Sequence, residues 1–320
     1  MLEAVNGRTM YYGKADVLTY RTYAQPLAVA PVPESGYAGT DNVIFAHNIT
    51  FAVTGEAFLP SFAAGDNSMV VATDSMKNFI LRHAARYEGG TTEGFLKFVA
   101  ERFMETYAHV TAVHIQGVRL PFDELPVPGA GGGFEPSGLV FRHSRYETSS
   151  AALELRRTPA GQELADHQCK LTGLHLIKVS GSSFHGFIRD EYTTLPETFD
   201  RPLFIYLDIG WKYGQAEYAF DGGLGRYVAA EQIRDIVQTV FHEQNSPSIQ
   251  SLIYKIGRRV LRRLPQLAEV NFESNNRTWE TVIESIEGSK GSVFTEPRPP
   301  FGFQGFSMTQ DDVAAGEKDA

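Results

Sequence analysis

"VAAEQIRDIVQTVFHEQNSPSIQSLIYKIGRRVLRRL", residues 228–264, carries two apolar stripes of helical period one after the other. Ile233, Ile236, Val237, Val240 and Phe241 recur at three- and four-residue steps in the first, and Ile249, Leu252, Ile253, Ile256 and Val260 do so in the second. Each segment therefore predicts a helix with one apolar side, and such a side must be laid on something. The flanks supply it. Upstream, "HQCKLTGLHLIKVSGSSF" (167–184) is extended in character, and "RPLFIYLDIGW" (201–211) sets Leu203, Ile205, Leu207, Ile209 and Trp211 at alternate positions, the period of a strand with one buried face. Downstream, "LAEVNFES" and "TWETVIES" lead into a final extended segment near Val293, and the polar residues from Thr309 predict a frayed end.

The first half reads in the same order. "YYGKADVLTYRTY" (11–23) and "HNITFAVTG" (47–55) predict two strands, the second with Ile49, Phe51 and Val53 alternating. Met76, Phe79, Ile80, His83, Ala84 and Tyr87 then line one side of a helix that Gly89 and Gly90 end. "TEGFLKFVAERFMETY" (92–107) predicts another, with Phe95, Val99 and Phe103 in line and Thr91 or Thr92 as cap. "HVTAVHIQGVRL" and "GLVFRHSRYETSSAALELRR" return to extended character around "PVPGAGGGFEPSG" (126–138), whose glycines and prolines predict a mobile excursion without an assigned role. Strand, strand, helix, helix, strand, strand is thus written twice. Helices on one face of an antiparallel sheet give an α+β architecture, and the uncovered face and open edges predict assembly with other copies into a closed barrel.

A net charge of −9 and a pI of about 5.5 argue against nucleic acid or an anionic membrane as partner. Cys169 is the only cysteine, which rules out an intrachain disulfide and suggests a reducing compartment. No run of eighteen apolar residues occurs, "MLEAVNGRTMYYGK" has no apolar signal core, and "GEKDA" is not a peroxisomal address, so the expectation is a cytoplasmic protein.

Several polar groups have both a plain and a functional reading. In "VVATDSMKN" (70–78), Asp74 or Ser75 can cap the helix that follows, or the first-turn amides and Thr73 can hold an anion. Lys255, Arg258, Arg259, Arg262 and Arg263 read as the solvated face of their helix, His83 as a satisfied core histidine, and Cys169 as a buried, inert thiol. No paired-histidine metal motif or nucleophile elbow is present, and "GGLGRY" (222–227) lacks the strand and spacing of a dinucleotide loop, so neither metal nor cofactor is expected. The long connection "SSFHGFIRDEYTTLPETFDRP" (182–202) is either a loop packed by its own aromatics or a site. In the second case Phe184 offers a flat stacking face and Arg201 a planar donor, a pair suited to a planar, oxygen-rich heterocycle.

"YGK" (12–14), "VATDSMKN" (71–78), "FIRDEYTTLPETFDR" (187–201) and "NSPSIQSLIYK" (245–255) stand in the order and spacing of the urate oxidases, and the chain resembles that family from about Tyr11 to about Phe306. The resemblance implies two tandem tunnelling-fold domains, 8–160 and 161–308, each a four-stranded antiparallel sheet with two helices on one face, followed by a flexible tail, 309–320. It implies cofactor-free oxidation of urate by dioxygen and water to 5-hydroxyisourate and hydrogen peroxide, in a homotetramer with active sites between subunits. Phe184 is then the residue that stacks on the purine, Arg201 grips a carbonyl and ring nitrogen, Gln250 pairs with the opposite edge and Ile249 adds a backbone amide. Thr73 and the amide of Asp74 reach into the neighbouring subunit's pocket, Lys14 joins Thr73 in proton transfer, and Asn275 holds dioxygen or water over the ring. In "SNNRTW" Arg277 stands where many members carry histidine, and a guanidinium that stays protonated orients charge but accepts no proton, which leaves Arg277 an accessory role and the relay's third member open. Two other readings remain: another purine- or pterin-modifying enzyme of this fold, or a catalytically inactive purine-binding protein.

Overall fold

The computed structural model describes residues 8–143, 146–220, 222, 225–277, 280–295 and 299–315. We number the eight strands of its main sheet β1 (Tyr12–Thr22), β2 (Ile44–Thr54), β3 (Ala112–Arg119), β4 (Thr148–Thr158), β5 (Gly161–Phe184), β6 (Thr198–Tyr213), β7 (Leu267–Arg277) and β8 (Gly302–Thr309). The four long helices are α1 (Thr73–Ala84), α2 (Thr92–Thr106), α3 (Ala230–Glu243) and α4 (Ile249–Arg263). The order along the chain is therefore the expected one, repeated. Strand order in the sheet follows the sequence from β1 to β8, and the pairs β1/β2, β2/β3, β3/β4 and β7/β8 are antiparallel.

By compactness the chain divides into two units. Among the described residues, one comprises those within 8–31, 37–170 and 212–229, the other those within 32–36, 171–211 and 230–315. In the first, Ile49, Phe51 and Val53 of β2, Val113 and Ile115 of β3 and Leu153 and Leu155 of β4 are buried under Phe95, Val99 and Phe103 of α2. In the second, Ile205, Leu207 and Ile209 of β6 are buried, as are Val270 and Phe272 of β7 and the stripes of α3 and α4. Alternation in the strands and the three-to-four repeat in the helices thus place the same residues in the core as the sequence predicts.

Four expectations change. The segment around residues 126–138 is the turn of an ordered β-hairpin, Phe122–Pro128 with Phe134–His143, in which Gly132 and Gly133 take the positive φ that the tight turn needs. The last strand is not near Val293, where only a two-residue pair with Thr281–Ile283 forms, but at Gly302–Thr309. Beyond it the chain does not fray at once. Gln310–Ala315 is a helix, tied down by Gln310 Nε2 on the carbonyls of Leu261 and Leu267 and by buried Val313, while residues 316–320 of the expected tail lie outside the described residues. The basic side of α4 is not merely solvated either, because Arg259 and Arg263 both donate to Glu34 at 2.9 Å. Burial would raise that carboxyl, but the bonds from Arg263 and Arg259 outweigh it and hold the group below its ordinary value.

Candidate active site

β5 ends on Phe184, and the ladder continues sideways rather than forward. Ser182 bridges Ser246, and both the amide and the hydroxyl of Ser183 donate to the Ser246 carbonyl, at 3.2 and 3.3 Å. The link preceding α4 is thereby fastened to the strand end that carries Phe184. Lys178 secures its other side by donating to the carbonyls of Phe241, His242 and Gln244 at the end of α3. Ser248 caps α4, its Oγ accepting from Ser251 N at 3.1 Å, while the amides of Ile249 and Gln250 lie in the first turn, where no helical carbonyl can accept from them. Ile249 is buried and Gln250 exposed.

Arg201, near the start of β6, places its guanidinium carbon 5.5 Å from the centroid of the Phe184 ring, which also stacks on Phe187 at 4.9 Å. The Arg201 Nε is buried without a hydrogen-bond partner, and burial lowers the guanidinium's pKa from its ordinary value. A buried N–H with no acceptor is uncommon, and here it belongs to a planar cation beside a planar ring. The sequence predicts that Phe184 and Arg201 act together, and the structure brings that pair into contact.

Asn275 and Arg277 lie on β7, two residues apart and so on one side of the strand. The Asn275 Oδ1 and the Arg277 Nε are likewise buried without partners. Tyr206 of β6 lies 4.7 Å and Phe301 4.9 Å from the Arg277 guanidinium carbon. Among the described residues no hydrogen bond or ring contact joins Asn275 or Arg277 to Phe184 or Arg201. Tyr206 and Phe301 escaped the sequence reading. Their signal was an aromatic at the outward positions of "RPLFIYLDIGW" and ahead of the last strand.

The third group is in the other unit. Gly13 must be glycine, since a Cβ there would sit 1.9 Å from the Phe51 carbonyl oxygen. One residue on, Lys14 pairs with Phe51, and the ladder then slips between Lys14 and Val17 at a bulge where Asp16 adopts φ 55° and accepts from Asn48. The Tyr12 hydroxyl accepts from the amide of Val71 at 2.9 Å, which ties β1 to the entry of α1. That entry differs from the capping reading. Ala72 holds the cap position with no side-chain bond, and the Asp74 carboxylate accepts from Lys77 and Asn78 of its own helix. Those contacts, Lys77 foremost and Lys14 among the rest, lower the Asp74 pKa. Thr73 is half-buried and Asp74 exposed, so the first turn of α1 keeps its hydroxyl and amides uncommitted to a cap.

His83 is a satisfied histidine as expected, its Nδ1 2.8 Å from the Phe79 carbonyl and its ring stacked on Phe79. Cys169 is buried and meets Glu93 Oε1 at 3.2 Å, and burial, with Glu93 beside it, pushes the thiol well up. Among the described residues no three His, Cys, Asp or Glu side chains are grouped closely enough to hold a metal ion. Residues 223 and 224 of "GGLGRY" lie outside the described residues.

The family profile described as Uricase matches residues 40–150 and 167–304. The "Uric acid degradation bifunctional protein PucL" of Bacillus subtilis (strain 168) is 53% identical over 307 residues, covering 96% of this chain and 62% of that protein. The "Uricase" of Haloferax volcanii is 52% identical over 306 residues, 95% of this chain and 99% of that one. Among solved structures, a uricase from Bacillus fastidious superposes with a TM-score of 0.93 at 54% identity, over 97% of this chain and 96% of that one. Urate oxidase from Bacillus sp. TB-90 superposes with a TM-score of 0.91 at 52% identity, over 94% and 100%. The chain spans 62% and 61% of the two bifunctional Bacillus proteins it matches. On the profile, the identities and the superpositions together, the chain belongs to the uricase family.

Proposed function

We propose that the protein oxidises urate with dioxygen and water to 5-hydroxyisourate and hydrogen peroxide, without a cofactor. The carrying observation is the pair Phe184 and Arg201, a ring face beside a desolvated guanidinium whose Nε lacks a partner. An electron-rich planar anion satisfies both: the ring stacks on its face and the guanidinium bonds its oxygen edge. Ile249 N and Gln250 complete the opposite edge.

Urate held flat and deprotonated gives electrons to dioxygen directly, provided that the charges which develop are stabilised. Lys14 and Thr73 move the protons, and the Asp74 amide helps to seat the substrate. The β-bulge after Lys14 and the Tyr12 bond to the Val71 amide support that pairing of Lys14 with Thr73. We further propose two tunnelling-fold domains, 8–160 and 161–308, and a homotetrameric barrel whose sites take Lys14, Thr73 and Asp74 from one copy and Phe184, Arg201, Ile249, Gln250 and Asn275 from its neighbour. The setting is the cytoplasm.

Purified protein mixed with urate tests the activity. Loss of urate's ultraviolet absorbance with equivalent hydrogen peroxide formed is the expected result, and unchanged urate under air overturns it.

A further inference from the structure

We infer that Arg277, clamped between Tyr206 and Phe301, is a fixed cation that stabilises reduced oxygen beside Asn275. The inference rests on the proposed urate oxidation and adds to it the residue that meets the oxygen's developing charge. Ring faces 4.7 and 4.9 Å from the guanidinium carbon hold it in place. They attract the cation but accept no ordinary hydrogen bond from its N–H edge, and no carboxylate pairs with it among the described residues. The β7/β8 ladder sets Asn276 against Gly302 and Asn275 against Phe303, so the register itself carries Phe301 to Arg277. Two residues away on the same side of the strand, Asn275 Oδ1 is an acceptor without a donor, as Arg277 Nε is a donor without an acceptor.

A species that both donates and accepts at small size completes this pair, and the peroxide formed from dioxygen is one. Urate, deprotonated twice, passes two electrons to dioxygen. Dioxygen becomes superoxide and then, with one of the two protons taken from urate, hydroperoxide anion. The second proton gives hydrogen peroxide, and water adds across the oxidised purine to give 5-hydroxyisourate. Arg277 gives up no proton in this sequence. Its N–H groups donate to the anionic oxygen while Asn275 Oδ1 accepts from the hydroperoxide O–H. A histidine here would lose its charge near neutral pH, whereas the guanidinium keeps it.

The test is kinetics of the whole purified protein at varied dissolved oxygen, with xanthine as an unreactive planar probe of purine binding. Arg277→Gln should lower kcat/KM for oxygen about 100-fold with xanthine affinity unchanged. Arg277→Lys, which keeps the charge without the flat clamp, should recover part of the loss. Arg277→His separates charge from base chemistry, because its oxygen-dependent rate should fall as pH rises through the histidine range, about 6.5. A rate that rises there, an unchanged oxygen dependence in a folded Arg277→Gln, or lost xanthine binding in that variant overturns the inference. A wild-type protein that neither binds xanthine nor consumes urate overturns the proposed activity instead.

Discussion

Lys14 and Thr73 illustrate how far a single residue can be read. The proposed role makes each a positioned proton-transfer group, so Lys14→Met or Thr73→Ala should lower turnover by about 10²- to 10⁴-fold. Steady-state rates of the purified variants check this, and a wild-type rate in either refutes the assignment. Arg201→Ala should act chiefly on binding and raise the Michaelis constant for urate, since a desolvated donor beside Phe184 grips the ground state as well as the transition state. His47 lies outside the proposed chemistry but sets a pH limit. It is wholly buried, its Nε2 3.0 Å from Thr92 Oγ1, and burial, with Arg119 nearby, lowers its pKa to about 3. The folded state stays neutral while the unfolded state takes up a proton below about pH 6.5, so stability is present above that value and falls as the pH drops towards about 3. Between pH 7 and pH 5 this amounts to about 2 kcal/mol. The melting temperature of His47→Gln, measured across that interval, should therefore decline less than that of the wild type.

At the scale of elements, α4 would join stability to the proposed binding. Ser248 holds its first turn through Ser251 N, and the same turn presents the Ile249 and Gln250 amides. Ser248→Ala should cost about 1 kcal/mol of stability, measurable by denaturant unfolding, and should also weaken xanthine binding. An unchanged xanthine affinity in a destabilised variant would separate the cap from the site. The helices and most strands were legible in the sequence because their periods are local properties of the chain. The hairpin at Phe122–His143 was not, because a run of glycines and prolines reads alike whether it wanders or turns tightly between two strands. Gln310–Ala315 was missed for a similar reason: its one anchoring apolar residue, Val313, and the Gln310 bonds to Leu261 and Leu267 are tertiary facts.

At the scale of the whole molecule, the proposed sharing of sites between copies has a direct test. Assayed at urate well below the raised Michaelis constant of Arg201→Ala, Lys14→Met and Arg201→Ala chains should each fall far below wild-type activity alone. Co-expressed and randomly assorted, they should recover about a quarter of wild-type activity, because a site built across two copies can draw both intact residues. No recovery in mixed tetramers, or a protein that runs as an active monomer, would place each site within one chain. The sequence by itself determined the α+β order of elements and the core stripes, since periodicity is written in consecutive residues; it offered Phe184 and Arg201 as a pair for a planar ligand, while Asn275, Lys14 and the proton-transfer role of Thr73 entered as what the resemblance to the urate oxidases implies. Only the tertiary structure decided that Glu34 meets Arg259 and Arg263, that Ser246 fastens the head of α4 to Phe184's strand, and that Tyr206 and Phe301 enclose Arg277. Those contacts join residues far apart in the chain, where strand register and packing, rather than local propensity, choose the partner.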